Sequence, residues 1–433
     1  MKKSIETRLT AVSFWLTVCE KKKKMISEIH VKVDVRGESY MQNFNFQAAT
    51  NVLFGKDQVE KLPKVLSNYG KNVLLTYGGG SIKRNGLYDH IQSLLGDEFT
   101  LFELSGIEPN PRLETVIKGA ELCREHNIDV ILSVGGGSTI DCSKAIAAAT
   151  FYDGNPWDFT ADSRLVTKAL PIVTILTLAA TGSEMNWGSV ITNAETKEKL
   201  SFHSRLVVPK VSILDPTYTF SVPTYQTLAG SSDILSHLFE NYFNSTPDTM
   251  VQDGIAEGLM RTVLHYTPIA LEQPDNYEAR ANLMWSSSLA LNGLTGSGKK
   301  GVWSCHAIEH ELSAYYDITH GIGLAIVTPR WMMHVLNDET APRFANYGHR
   351  VFDLPVTGDI MMDAKAAIQK TYETSKSWGV PMTLGEVGID TSLLEEMASQ
   401  AVKHSKISTD GYVPLSVEDV VAIYEASMEE MTF

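Results

Sequence analysis

The sequence has four cysteines in 433 residues, Cys19, Cys123, Cys142 and Cys305, and no two stand in paired or C-x-x-C spacing. That excludes a disulfide framework and a thiolate zinc knot, and it fits a reducing cytoplasm. Positive charge is also short: 37 Lys and Arg stand against 51 Asp and Glu, for a net charge of −14. Nucleic acid and anionic membrane both select a basic surface, so neither is expected as a partner and a small molecule is. Long apolar runs are missing as well. The stretch from Leu9 to Cys19 is too short to span a bilayer. Lys21 to Lys24 follow it, where a secretory signal would place small residues.

Two nucleotide fingerprints are absent. No strict G-x-G-x-x-G occurs, which argues against a standard Rossmann turn. Gly293 to Lys299 has Walker-like glycine spacing, but Lys300 stands where the magnesium-binding Ser or Thr belongs, so the segment reads as a loop.

What remains is an ordinary globular composition, 43% apolar and 20% charged, at a length that fits two or three domains. Residues 1–40 carry nine Lys/Arg against five Asp/Glu and fall outside the folded pattern. They read as a non-conforming extension, either disordered or a mis-called upstream start. From Met41 to Asp215 strands and helices alternate. Val73 to Tyr77 reads as a strand, Ile82 to Leu95 as a helix, Phe99 to Leu104 as a strand, Arg112 to Asn127 as a helix and Val130 to Val134 as a buried parallel strand. Beyond Pro216 strand patterns vanish. Tyr225 to Tyr242, Met250 to Leu271, Tyr277 to Leu291 and Ala364 to Trp378 carry helical apolar periodicity. The fold class expected is therefore an α/β, Rossmann-like nucleotide-binding domain over 41–215 followed by an all-α domain over 216–433, with the site in the cleft between them.

The first chemical signal is a pair of glycine turns. Gly78-Gly79-Gly80-Ser81 closes one strand, and Gly135-Gly136-Gly137-Ser138 closes another and opens a helix. Backbone N–H groups at such a helix start present positive potential to an anion, and pyrophosphate is the obvious guest. No acid follows Tyr77 to bind a ribose 2′-hydroxyl. Gly79, Gly80 and Ser81 offer donors instead, with Lys83 and Arg84 close behind, which favours NADP(H) over NAD(H). The second signal lies in the helical half, where Asp233 and His237, then His306 and His310, stand four residues apart, with His320 beyond. An i, i+4 pair shares one helix face, so two such helices can bring nitrogen and oxygen donors to one point. A donor set without thiolate suits Fe(II) or Zn(II). His306-Ala-Ile-Glu309-His310 also fits the pattern of a zinc peptidase in which the Glu is the general base, a rival reading that leaves the first half of the chain unused.

Gly-Gly-Gly-Ser-Thr-Ile-Asp at 135–141, Leu-Thr-Leu-Ala-Ala-Thr-Gly-Ser-Glu at 176–184, the Asp233/His237 pair, and His306, His310 and His320 resemble the iron-containing, or group III, alcohol dehydrogenases. Asn-Phe-Asn-Phe at 43–46, Thr-Tyr-Gly-Gly-Gly-Ser at 76–81 and Gly-Ile-Glu-Pro-Asn-Pro at 106–111 are similar to its NADP(H)-dependent butanol dehydrogenase and aldehyde reductase branch. The resemblance implies a dehydroquinate synthase-like architecture and a homodimer. It implies that Asp233, His237, His306 and His320 ligate the metal and that His310 stands beside nicotinamide and substrate. It also implies that Gly136, Gly137 and Ser138 hold the pyrophosphate, that Thr177 and Thr181 line the cofactor, and that Asp141 and Lys199 lie near its nicotinamide half. The expected reaction interconverts short- to medium-chain aldehydes and primary alcohols, with His310 and Asp141 as catalytic candidates. Trp187, Phe202 and Trp303 are candidates to line the aldehyde pocket. A lyase of the dehydroquinate synthase type is the nearest alternative, ahead of the peptidase.

Overall fold

Six strands dominated by Val, Ile and Leu form one parallel sheet: β1 (Asn51–Phe54), β2 (Asn72–Tyr77), β3 (Thr100–Leu104), β4 (Val130–Gly135), β5 (Ile172–Leu176) and β8 (Val211–Leu214), in the order β1-β8-β5-β4-β2-β3. The inner strands β4, β5 and β8 are buried along their whole length. Strands buried on both faces need helices on both faces, and the chain supplies α1 (Leu87–Leu95), α2 (Leu113–Glu125) and α3 (Gly137–Ala149) as crossovers. The computed structural model describes residues 40–433. The extension read at 1–40 lies, apart from Tyr40, outside the described residues.

β3 lies on one side of β2 and β4 on the other, so the winding direction reverses between β2 and β4. Open α/β sheets bind ligands at such a switch point, outside the carboxyl ends of the strands. Both glycine turns sit there, one ending β2 and the other ending β4.

The second half is helical, as the periodicity implied: α4 (Thr224–Tyr242), α5 (Met250–Glu272), α6 (Tyr277–Ala290), α7 (Ser304–Tyr316), α8 (His320–His334), α9 (Ala341–Val351), α10 (Ile360–Trp378), α11 (Leu394–His404) and α12 (Val417–Ala426). They share one apolar core that runs from Leu228 to Tyr424. α4 is buried without a break from Thr227 to Glu240, which makes it the central helix of this half. Gln42–Ser245 and Thr249–Phe433 pack as one compact unit, so sheet and helices belong to the same body.

Two local differences from the sequence reading have physical causes. The helix expected over 82–95 breaks at Gly86, whose φ of 82° leaves the right-handed region, so a turn at Ser81–Arg84 precedes α1. An antiparallel hairpin, β6 (Gly188–Asn193) with β7 (Glu198–His203), went unread because β7 lacks clean alternation. That hairpin carries Lys199 to the helical half. Gly293 to Lys299 is a loop of turns, as read.

Candidate metal and nucleotide site

α4 positions the carboxylate. Asp233, His237 and Glu240 succeed one another on one of its faces, at spacings of four and three residues. α7 brings His306 and His310, and His320 is the first residue of α8. Gly321 permits the approach: a Cβ there would overlap the backbone of Ala229, so only glycine lets the start of α8 lie against α4. The preceding Asp317 takes a left-handed φ of 53° and ends α7.

Three imidazoles converge on one oxygen. Asp233 Oδ1 lies 3.4 Å from His237 Nε2, 4.0 Å from His306 Nε2 and 3.8 Å from His320 Nε2. Donor atoms of Asp233, His306 and His320 all lie within 4.8 Å of one another, and His237 joins through Asp233 and by stacking on His306 at 5.0 Å. His310 stands beside the cluster, its ring 5.5 Å from that of His320 and 6.3 Å from that of His306.

The chemistry of the set fits a cation. Asp233 Oδ1, His306 Nε2 and His237 Nδ1 are buried with no hydrogen-bond partner. A buried carboxylate that lacks a partner carries a desolvation cost that a coordinated cation would offset. Burial pushes the Asp233 carboxyl up to about 7 and pushes His237, His310 and His320 well below the ordinary imidazole value. Imidazoles held neutral keep a lone pair for a metal.

Carboxylates stand behind the histidines. Glu240 Oε1 accepts from the His306 backbone N–H at 2.9 Å and lies 3.3 Å from His306 Nδ1, while its Oε2 accepts from the Ser304 N–H at 3.1 Å. Glu309 Oε2 accepts from His320 Nδ1, and Glu309 Oε1 accepts from Ser313. Lys199 Nζ, from β7, stands 3.8 Å from Glu309 and 3.5 Å from His320 Nδ1. The sequence reading named neither glutamate as part of this arrangement. Its only available signals were Glu240 three residues after His237 and Glu309 inside the His-x-x-Glu-His run. With Glu309 turned to His320 and Lys199, it is not placed as the general base that the peptidase pattern requires.

On the sheet side, Gly136 precedes α3 with extended φ and ψ, and Gly137 opens it. A Cβ at Gly137 would overlap the Thr181 side chain, so the glycine keeps the loop after β5 against the helix start. Nothing lies within 4 Å of where a Cβ would stand on Gly79, which leaves that backbone open to a guest. Gly80 has a φ of 86° and caps the short turn that begins at Ser81. Both observations fit a dinucleotide cradle at the switch point. Thr177 N–H donates to Gly135 O at 3.0 Å, and the Ser138 hydroxyl donates to Pro109 O.

Three candidates are already engaged within the chain. Asp141 accepts from Ser183 Oγ at 2.5 Å and from Val190 N–H at 3.1 Å, so both carboxylate oxygens are held, and burial raises its carboxyl pKa. Lys83 lies 3.7 Å from Glu103 and 4.2 Å from the Tyr88 ring, and Tyr77 also donates to Glu103, at 2.7 Å. The donor that the sequence reading offered to a 2′-phosphate therefore has an internal partner. Arg84 Nη1 donates to Gly79 O at 3.3 Å. Of the pocket aromatics, the Trp303 ring lies tilted against that of His306, 4.7 Å away, whereas Phe202 is fully buried against Phe159 in an apolar core cluster. Trp187 lies under the Arg205 guanidinium, 5.6 Å away.

A doubly wound sheet with an open glycine turn, joined to a helical half that gathers three imidazoles and a carboxylate, has the dehydroquinate synthase-like plan. Residues 49–216 match the profile of iron-containing alcohol dehydrogenase, and residues 227–428 match that of the Fe-containing alcohol dehydrogenase family, C-terminal. The chain is 52% identical over 388 residues to NADH-dependent butanol dehydrogenase A of Clostridium acetobutylicum, covering 89% of this chain and 100% of that one. It is 36% identical to the NADPH-dependent aldehyde reductase YqhD of Escherichia coli, with 89% of this chain and 100% of that one covered. The crystal structure of NADH-dependent butanol dehydrogenase A from Thermotoga maritima superposes with a TM-score of 0.86 at 38% identity, covering 90% of this chain and 100% of that one. The chain belongs to the iron-containing alcohol dehydrogenase family.

Proposed function

We propose that the protein interconverts short- to medium-chain aldehydes, such as butanal, with primary alcohols by hydride exchange with a nicotinamide dinucleotide. The observation that carries this reading is the convergence of His237, His306 and His320 on Asp233 Oδ1, with Lys199 reaching that cluster from the nucleotide half.

Asp233, His237, His306 and His320 would hold one divalent cation, Fe(II) or Zn(II). Such a cation supplies Lewis-acid chemistry, stabilising the charge that develops on a carbonyl oxygen as hydride arrives at its carbon. The chain does the rest by orientation and exclusion of water. The Gly136-Gly137-Ser138 turn would seat the pyrophosphate, with Thr177 and Thr181 along the cofactor. Trp303 would bound the aldehyde side and keep it dry. His310 would pass a proton to or from the substrate oxygen, directly or through the cofactor ribose. Asp141, held by Ser183 and Val190, would steady the loop beside the nicotinamide rather than exchange a proton.

For the cofactor, the acid-free end of β2 and the open space at Gly79 support NADP(H). A second reading, NAD(H), has its own support. Lys83 is tied to Glu103; relatives 52% and 50% identical bear the name NADH-dependent butanol dehydrogenase, and two at 47% and 46% bear the name probable NADH-dependent butanol dehydrogenase. We further propose a cytoplasmic homodimer with small-molecule partners only. No described helix is long and apolar enough to cross a membrane, and Cys123, Cys142 and Cys305 are free thiols.

The test follows nicotinamide absorbance with butanal, comparing metal-loaded with chelator-treated protein and NADPH with NADH. Metal-dependent oxidation supports the reading, and the ratio of kcat/KM values decides between the cofactors. Absence of turnover across a series of aldehydes, in protein that retains its metal, would overturn it.

A further inference from the structure

We infer that Glu240 and Glu309 are positioning residues that fix His306 and His320 as Nδ1–H tautomers, so that both present Nε2 to the metal. The inference rests on the metal reading above.

The geometry is the same on two different helices. His306 has Glu240 3.3 Å behind its Nδ1, and His320 has Glu309 against its Nδ1; in both rings Nε2 faces Asp233. A neutral imidazole carries a single N–H, so a ring whose Nε2 keeps its lone pair for a cation holds the proton on Nδ1, where the glutamate oxygen stands to accept it. Both glutamates are buried, Glu240 at 7% exposed and Glu309 at 0%, and each is itself fixed. Glu240 is held by the backbone N–H groups of Ser304 and His306, and Glu309 by Ser313 with Lys199 at 3.8 Å. A carboxylate behind a ligating imidazole fixes ring orientation and raises ligand basicity, and its loss costs about 10–100-fold in metal affinity. Glu309 has a further reach. Because Lys199 belongs to β7, the same carboxylate ties His320 to the nucleotide half.

The test is a cobalt(II) titration of the full chain with a competing chelator, read by affinity and by the visible absorption band of the bound ion. We expect Glu240→Leu and Glu309→Leu each to lose about 10–100-fold in affinity and to shift the band. Glu311→Gln serves as control. That carboxylate is two residues past Glu309 and faces His404 at 3.3 Å instead, so the control should match wild type. Leucine at 309 strips Lys199 of its partner and can cost folding. A second measurement therefore uses unaltered, zinc-loaded protein: long-range proton–nitrogen correlation of the histidine rings should find His306 and His320 both protonated at Nδ1. Wild-type affinity in folded Leu variants, or an Nε2–H tautomer at either histidine, would overturn the inference alone. A wild-type chain that takes up no cobalt would overturn the metal reading itself.

Discussion

The Asn110 side-chain amide donates to the Asp317 carboxylate at 2.7 Å, although the two residues lie 207 positions apart. Asn110 belongs to the loop that follows β3, and Asp317 is the left-handed residue that turns the chain from α7 into His320. Arg112 adds an ion pair to the same oxygen at 3.0 Å. The sheet half thereby fastens the turn that aims a proposed ligand.

Asn110 is almost fully buried, so replacing it tests that fastening. In Asn110→Ala the Asp317 carboxylate keeps Arg112 but loses a neutral donor, a loss of about 1 kcal/mol in denaturant unfolding. Asp317→Ala should cost more than Asp317→Gly. Alanine is strained at a φ of 53°, whereas glycine loses only the two side-chain partners. Equal unfolding midpoints for the two Asp317 variants would remove the backbone argument.

His306 and His310 share a helix face but differ in what they approach. His306→Ala should abolish stoichiometric metal, because His306 is one of the three residues whose ligand atoms gather within 4.8 Å, with its Nε2 4.0 Å from Asp233 Oδ1. His310→Ala should retain metal and lose turnover, by roughly 10²-fold if it acts as general acid–base. Metal analysis and steady-state rates on the same preparations separate the two. Full activity in the His310 variant would end its proposed role in proton transfer.

The paired histidines and the glycine turns were legible because each is local: four residues set a helix face, and three glycines set a turn. Glu240 was not, since its partners Ser304 and His306 lie 64 and 66 residues away and meet it only once α4 and α7 pack. The partner of Lys83 was hidden for the same reason. The lysine's charge is visible in sequence, but its commitment to Glu103 depends on β2 pairing with β3. Phe202 could not be assigned from sequence, because hydrophobicity marks a core residue and a pocket residue alike; in the β6–β7 hairpin it is fully buried.

Gly79 gives a clean probe of the cofactor. A Cβ there meets nothing within 4 Å, so Gly79→Ala should fold with unchanged stability. If the backbone of this turn lies against a dinucleotide, the added methyl should weaken cofactor binding by about 10-fold or more, consistent with the role of such glycines in close approach. Calorimetry with NADPH and NADH checks it. A larger loss for NADPH would assign the turn to the 2′-phosphate, and equal losses would assign it to the shared part of the cofactor. Gly137→Ala, by contrast, should lose stability even without cofactor, because its Cβ overlaps Thr181.

Asp253 predicts how stability depends on pH. Its carboxylate lies 2.7 Å from Lys299 Nζ and accepts two bonds from Arg343, each at 2.7 Å. Against the upward push of burial, these partners hold its carboxyl below the ordinary value. A depressed folded pKa means that the unfolded chain binds the proton more readily. The stabilisation is therefore complete above the unfolded value of about 3.9 and is lost as pH falls through the folded value. Asp253→Asn leaves two cations, one of them almost wholly buried, without their counter-charge, so near pH 7 it should cost about 3 kcal/mol. In strong acid the wild-type carboxylate is protonated too, and the two unfolding curves should draw together. Urea titrations at neutral and acidic pH measure the difference directly. A gap that stays constant across that range would mean that packing, and not the charge on Asp253, holds the Gly293 to Lys299 loop against α5 and α9.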